Sequence, residues 1–460
     1  MKLQLLKTLC STAVVGYLAA TAAGGGDQVK LDVAPVHGVL KAGDKQTTWV
    51  RVGLEGFELK GDRKRPGVNL AIVLDKSGSM QGEKIQRARE AAIDAINMLQ
   101  AEDIVSIVTY DSTVEVLVPA TKLTDKATVI QAIRKIQPGG NTALFAGVSK
   151  GAAEVRKFLD KERVNRVILL SDGLANVGPS SPGELGSLGK SMLKENISVS
   201  TLGLGLGYNE DLMVNLATAS GGNHLFIEEA SELADIFRSE FDDVLSVVAQ
   251  EVDVVVTIPE GIRPVRVLGN EADINGQQIV TRMSQIYSEQ DKHIVIEVEV
   301  PEAKDDQTLE LATVVVTYAN MKTHESDKLS GETKVRFSDD EKQVAASLNR
   351  KAMADVVALV SSDNNKLATI YLDEGNLRKC REVLSENVKF LNINAMKCPE
   401  DSERLKSLAV QNGFQLQQIE MAKDNNDPAA NLARKSFRGY QSEVDLQQRA
   451  KGSTSLKSNK

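Results

Sequence analysis

Apolar and polar positions follow two periods along this chain, and the pattern changes over three times. Residues 28–33 and 47–55 read as strands; in "TTWVRVGLE" apolar and polar side chains alternate, as they do when one strand face is covered. From Val68 the pattern turns to strand, helix, strand, helix. Leu70–Leu74 is an unbroken apolar run, the composition of a central parallel strand covered on both faces. Ile85, Ala88, Ala92, Ile96 and Leu99 then recur three or four apart, along one face of a helix. Further strands are read at 104–109, in "TVEVLVP" as an alternating edge, and in "RVILLSDG", "ISVSTLGLG" and "HLFIE". Among them, a helix carries Val129, Ile133 and Ile136 with Thr124 as its expected cap. A long helix is expected from "PGGNT" to about Glu162. A last helix around Leu233, Ile236, Phe237 and Phe241 closes the unit. Such alternation implies a parallel sheet with helices on both faces.

At Glu251 the period becomes two. "EVDVVVTIPEG", "RPVRVLG", "QQIVTRM", "KHIVIEVEVP" and "LELATVVVTY" are strands separated by turn residues, the pattern of a β-sandwich. The two strands before Val68 have no partners of their own, so they are expected to complete this sandwich, with the α/β unit inserted into it. From Asp339 the chain turns helical and polar, suited to an antiparallel bundle or cap. The expected organisation is a signal at 1–23, sandwich strands at 27–66, the α/β domain at 67–248, the rest of the sandwich at 249–338, a helical region at 339–450 and a disordered tail at 451–460. The fold class is therefore α/β: a doubly wound, mostly parallel sheet inserted in a β-sandwich and followed by a C-terminal helical region.

Composition changes the picture in one respect, the compartment. The start, "MKLQLLKTLCSTAVVGYLAATAAGGG", has the lysines, the short apolar run and the small-residue end of a secretory signal. No later stretch reads as a bilayer span, so a secreted, periplasmic or cell-envelope location is expected, with an uncleaved anchor as the open alternative. Loss of Lys2 and Lys7 with the signal takes the formal charge from −8 to −10. That argues against broad nucleic-acid or anionic-membrane binding, which needs a basic face. Cys380 and Cys398 remain; an oxidising compartment permits a disulfide between them, and the sequence leaves it open.

The chemistry concentrates where strands end. In "LAIVLDKSGSM" the first parallel strand runs into Asp75, with Ser77 and Ser79 at alternate positions and Gly78 between them. Ligands of open α/β sheets gather outside such C-terminal strand ends. A carboxylate buried there needs a partner, and two hydroxyls do not cancel its charge. A divalent cation does. Hydroxyl and carboxylate oxygens suit Mg²⁺, with Ca²⁺ or Mn²⁺ as alternatives, and such ions want more ligands than three residues supply. Thr142 in "PGGNTALFAG" and Asp172 in "RVILLSDGLANVG" offer them. Two other features point elsewhere. "LGLGLG" at 202–207 follows the wrong strand for a dinucleotide loop, and the four histidines show no zinc-hydrolase pair.

Asp75-x-Ser77-x-Ser79 with Thr142 and Asp172 resembles, residue by residue, the metal-ion-dependent adhesion site of von Willebrand factor type A domains. The flanking chain resembles, more loosely, bacterial secreted proteins of this type labelled as calcium-activated chloride channel homologues, and the heavy chains of inter-alpha-trypsin inhibitor. The resemblance implies a strand order of 3-2-1-4-5-6 and a metal held by the hydroxyls of Ser77, Ser79 and Thr142. Asp75 and Asp172 act directly or through water. It further implies a partner protein offering an Asp or Glu carboxylate, and binding without catalysis. It also implies that the last α/β helix, near 231–247, couples to the sandwich through a short connection. The alternatives are a Mg²⁺-dependent enzyme of the cell envelope, which would need a base or nucleophile beside the metal, and a metal-free scaffold.

Overall fold

The computed structural model describes residues 28–59 and 65–447; the expected signal and disordered tail lie outside the described residues. The chain opens with β1 (Lys30–Pro35), β2 (Val39–Lys41) and β3 (Gln46–Glu55). It then leaves the sandwich for the α/β domain, which comprises β4 (Gly67–Asp75), α1 (Glu83–Met98), β5 (Ile104–Tyr110), β6 (Val114–Lys122), α2 (Lys126–Arg134), α3 (Leu144–Arg156), β7 (Arg163–Ser171), α4 (Pro182–Lys194), β8 (Ser198–Leu204), α5 (Glu210–Ser220), β9 (His224–Ile227) and α6 (Leu233–Leu245). The sandwich resumes with β10 (Val247–Thr257), β11 (Arg263–Leu268), β12 (Ala272–Asn275), β13 (Gln278–Tyr287), β14 (Asp291–Val300), β15 (Thr308–Asn320) and β16 (Ser326–Ser338). Helices α7 (Glu341–Ala346), α8 (Arg350–Asp373), α9 (Leu377–Lys397), α10 (Ser402–Met421) and α11 (Pro428–Leu446) follow.

The α/β sheet has the order β6-β5-β4-β7-β8-β9, parallel except for the antiparallel edge β6. Counted within the domain this is the expected 3-2-1-4-5-6. The apolar run of β4 is buried throughout, because α1 and α6 cover one face and α3 the other. Helix α3 comes very close to the sheet at Gly151, where a Cβ would lie 2.5 Å from Val73 Cγ2. The order puts the ends of β4 and β7 side by side, with their following connections departing to opposite faces.

The two early strands do join the sandwich. One sheet is β1-β3-β14-β11 and the other β12-β13-β10-β15-β16-β2. Both links to the inserted α/β domain meet the β13–β14 turn. Gly56 exchanges backbone hydrogen bonds with it, its amide donating to Gln290 O at 2.9 Å and its carbonyl accepting from Glu289 N at 3.1 Å. Ser246, the one residue between α6 and β10, accepts from Ser288 N at 2.8 Å.

Several local expectations are corrected. Helix α3 stops at Arg156 rather than near Glu162, because the Asn69 amide of β4 donates to the carbonyls of Val155 (2.8 Å) and Phe158 (3.0 Å). Asp125, not Thr124, caps α2, accepting from Thr128 N. The helical region expected from Asp339 opens with two helices in close succession, since Asn349 caps α8 anew after α7. Strands β2, β12 and β16 and helices α4 and α5 were not anticipated; β16 is largely polar, and α4 carries three glycines. Cys380 and Cys398 are both buried and free. They lie at opposite ends of α9, about 27 Å apart at 1.5 Å per residue, far beyond disulfide reach.

The helical region is fastened to the sandwich by an apolar cluster, in which Val36, Leu268 and Val295 meet the helices, and by charge. The Arg51 guanidinium of β3, 1% exposed, bonds Asp355 of α8 at 2.5 Å, Asp32 at 2.9 Å and Asp291 at 2.5 Å. Arg404 of α10 reaches the other oxygen of Asp355 at 2.6 Å. Burial pushes the Asp355 carboxyl upward, but His293, Arg404 and Arg51 together outweigh it and hold the group well below the carboxylate range. Arg51→Met breaks the pair with the buried Asp355, which keeps Arg404 as its cation; breaking a buried pair costs up to about 3–5 kcal/mol, and the expected outcome is a clear drop in the urea midpoint. Burial also lowers the adjacent His293 to about 4. Unfolded histidine titrates near about 6.5, so between these values the unfolded chain binds the extra proton and stability falls as pH falls. The urea midpoint is therefore expected to drop from about pH 7 to about pH 5, and less so in His293→Gln; an equal drop in that variant counts against the assignment.

Candidate metal centre

The five residues singled out by sequence sit together at the C-terminal end of the sheet. Asp75 ends β4 and is fully buried. One of its oxygens accepts the Ser77 amide at 2.8 Å, the other the Ser171 hydroxyl at 2.6 Å. The first bond curls the chain back after the strand, as an aspartate does at a turn. The curl brings the Ser77 and Ser79 hydroxyls within 3.0 Å of each other. Ser79 then donates to Asp172 Oδ1 at 2.7 Å, which ties the first loop to the end of β7.

Thr142 arrives on a third connection, just before α3. Its amide donates to Asn176 Oδ1 at 2.8 Å and its carbonyl accepts from Asn176 N at 3.1 Å, so it is held against the loop that follows Asp172. A Cβ built on Gly173 would lie 3.1 Å from Thr142 Oγ1 and 3.3 Å from Ser79 Oγ. The two hydroxyls thus converge on one region, and the glycine keeps it open.

Electrostatics at the site follow from burial. Desolvation raises the Asp75 carboxyl above its usual range; hydrogen bonds from Ser171 and Ser77 oppose this, and the Asp172 charge adds to it. Tyr110 lies below, fully buried, and burial with the Asp75 charge pushes its hydroxyl far up, so it stays neutral. Asp172 takes the Lys84 ammonium of α1 at 2.5 Å on its second oxygen. Lys76 pairs with Asp111, and the Ser112 hydroxyl accepts from Asn141 N at 2.9 Å; these contacts brace the β4 and Thr142 connections from the β5 side.

Lys84, Ser171 and Asn176 were not among the sequence candidates. Ser171 was the most readable of them, a hydroxyl between an apolar strand and Asp172. Lys84 sits in "GEKIQR", which looks like any solvent-facing first turn.

Two carboxylates and one ammonium leave the cluster one negative charge. Among the described residues no group of three or more His, Cys, Asp or Glu is arranged to hold a metal ion. The donor set here is of another kind, three hydroxyls and two carboxylates, all hard oxygens suited to Mg²⁺, Ca²⁺ or Mn²⁺. The residues present fit a divalent ion by chemistry and by convergence.

The family model for the von Willebrand factor type A domain matches residues 69–239. The chain is 29% identical over 211 residues to the uncharacterised protein YfbK of Escherichia coli, covering 45% of this chain and 36% of that one. It is 30% identical over 186 residues to the uncharacterised protein sll0103 of Synechocystis, covering 40% and 43%. To human inter-alpha-trypsin inhibitor heavy chain H2 it is 30% identical over 163 residues, covering 34% and 17%. The chain spans less than half the length of each of these relatives. Among solved structures, a von Willebrand factor type A protein from Catenulispora acidiphila superposes with a TM-score of 0.67 at 16% identity, over 94% of this chain and 99% of that one. VWA2, the ArnB paralog of Sulfolobus acidocaldarius, gives 0.61 at 17% identity, over 92% and 98%. These likenesses extend across sandwich and helices as well, and they speak for the fold alone. Strand order, strand-end cluster and family match agree: the chain carries a von Willebrand factor type A domain.

Proposed function

We propose that this is an exported protein that binds a partner protein through a divalent-metal-dependent adhesion site, without making or breaking bonds. The observation that carries the reading is the convergence of Asp75, Ser77, Ser79, Thr142 and Asp172 from three connections. Ser77, Ser79 and Thr142 would hold the ion through hydroxyls, with Asp75 and Asp172 directly or through water. When bound, the ion supplies an electrophilic centre for a carboxylate. The charge balance supports this: a cluster at one negative charge becomes singly positive with a divalent ion, and one Asp or Glu of the partner neutralises it. Leu174 and Leu206 stand exposed on the two loops beside Asp172, where they offer apolar contact around such an acid.

Export rests on the amino-terminal signal pattern. No described helix is long and apolar enough to cross a membrane.

The test is calorimetric titration with MgCl₂ and MnCl₂, followed by capture of partners from cell-envelope extract with and without EDTA. Asp75→Ala and Thr142→Ala are expected to abolish ion uptake and EDTA-sensitive capture while the thermal transition stays in place. Ion uptake unchanged in both variants would sink the reading. Gly173→Val pushes a side chain between Thr142 and Ser79, and is expected to lose ion uptake although it removes no ligand. Wild-type affinity in that variant would place the ion elsewhere.

A further inference from the structure

The loop between β8 and α5, residues 205–209, lies between the candidate metal centre and the C-terminal helix. On one side, a Cβ at Gly207 would come within 2.9 Å of the Asp172 carbonyl oxygen. A Cβ at Gly205, where φ is +71°, would be 3.9 Å from Lys84 Nζ, the ammonium bound to Asp172. The backbone of this loop is therefore packed against the residue that joins Ser79 and Lys84. Leu206, between the two glycines, is 48% exposed and faces outward.

On the other side the same loop is gripped by α11. Lys435 is 3% exposed, and its ammonium donates to the Tyr208 carbonyl at 2.8 Å and to Glu210 Oε2 at 2.7 Å. It also lies 4.0 Å from the centre of the Tyr208 ring. Three residues on, Arg438 bonds Asp211 at 2.7 Å. Spacing of three along a helix keeps both cations on one face. Beneath, the Tyr208 hydroxyl meets His224 Nε2 at 3.3 Å, and His224 Nδ1 meets Thr201 at 2.9 Å. Burial first, then the Lys435 charge, lowers His224 to about 3, so the ring is neutral and takes no part in charge balance. Tyr208 is thus fixed from below by β8 and β9 and from behind by a helix that lies more than two hundred residues further along the chain.

We propose that Lys435 is a positioning residue of the metal centre: by holding the loop at 205–209 against Asp172, α11 sets ion affinity, and ion binding in turn tightens α11 on the α/β domain. The inference rests on the metal-dependent reading above. The coupling is reciprocal by necessity, because two events that favour one loop position each strengthen the other. It also gives the helical region a role in binding, by a route separate from α6.

The test uses the full chain. Lys435→Met is expected to weaken Mn²⁺ binding about tenfold by calorimetry, and Lys435→Arg to restore most of it, since a guanidinium can serve the same carbonyl, carboxylate and ring. Arg434→Met, which cuts a bond from α11 to Asp373 within the helical region, is the control for loosened packing and is expected to bind as wild type. Hydrogen exchange of the peptide covering 428–446 is expected to slow on adding MnCl₂ to wild type, and not in Lys435→Met. Wild-type affinity in Lys435→Met, equal loss in Arg434→Met, or exchange in α11 indifferent to the ion would each overturn the proposal and leave the metal reading standing. No Mn²⁺ uptake by the wild-type chain would overturn both.

Discussion

Two carboxylates end neighbouring parallel strands, and much of the domain's upper end is arranged to keep them there. Asp75 and Asp172 are both shut off from solvent. Isolated, each would favour the unfolded chain, since burying an unpaired charge is costly. The structure meets the cost with a backbone amide and a hydroxyl at Asp75, and a hydroxyl and an ammonium at Asp172. Those four contacts determine where the Ser77–Ser79 curl lies, which way α1 starts and how the β7 loop turns. Thr142 is added through Asn176. The cluster's residual negative charge would favour the entry of a divalent cation, and with hydroxyls on three of the five side chains such a cation would find few negative ligands.

The parts legible in sequence were those governed by local rules. The β4 run could be read because burial on both faces demands unbroken apolar residues, and the alternation in β13–β15 because one covered face demands period two. The five ligand candidates were legible because hard-oxygen residues at strand ends are conspicuous against such runs. What escaped had a long-range cause. Lys84 acquires its role only when α1 folds back over the end of β7. Asn69, a polar residue inside β4, ends α3 from the strand beneath it, and nothing near Arg156 announces it. Lys435 and Arg438 look like ordinary surface cations of a polar helix until α5 is set beside them.

The three regions are joined by arginine and lysine side chains that are themselves nearly inaccessible. Arg51 ties sandwich to helices, Lys435 ties helices to the α/β domain, and Arg166 of β7 reaches Gln285 at 2.5 Å and Tyr287 at 3.2 Å in the sandwich while pairing with Glu240 of α6. Each is a polar contact whose partners lie on different bodies, so each becomes costly if one body moves away. Apolar clusters also cross these boundaries, Val36, Leu268 and Val295 packing against the helices and Tyr287 and Met321 against the α/β domain; the charged contacts add direction to them.

The hairpin turn at Ser288–Gln290 receives both ends of the inserted domain, Gly56 on entry and Ser246 on exit. The strand pairing of the framework therefore runs past the insertion point without a break. The pairing of β3 with β14 and of β10 with β13 does not depend on the length of the insert, whereas the contacts of Arg166 and Lys435 do depend on its β7 and its β8–α5 loop. The architecture works as a socket: the α/β insert enters and leaves at one hairpin, and the side chains of the frame then grip it from two further sides.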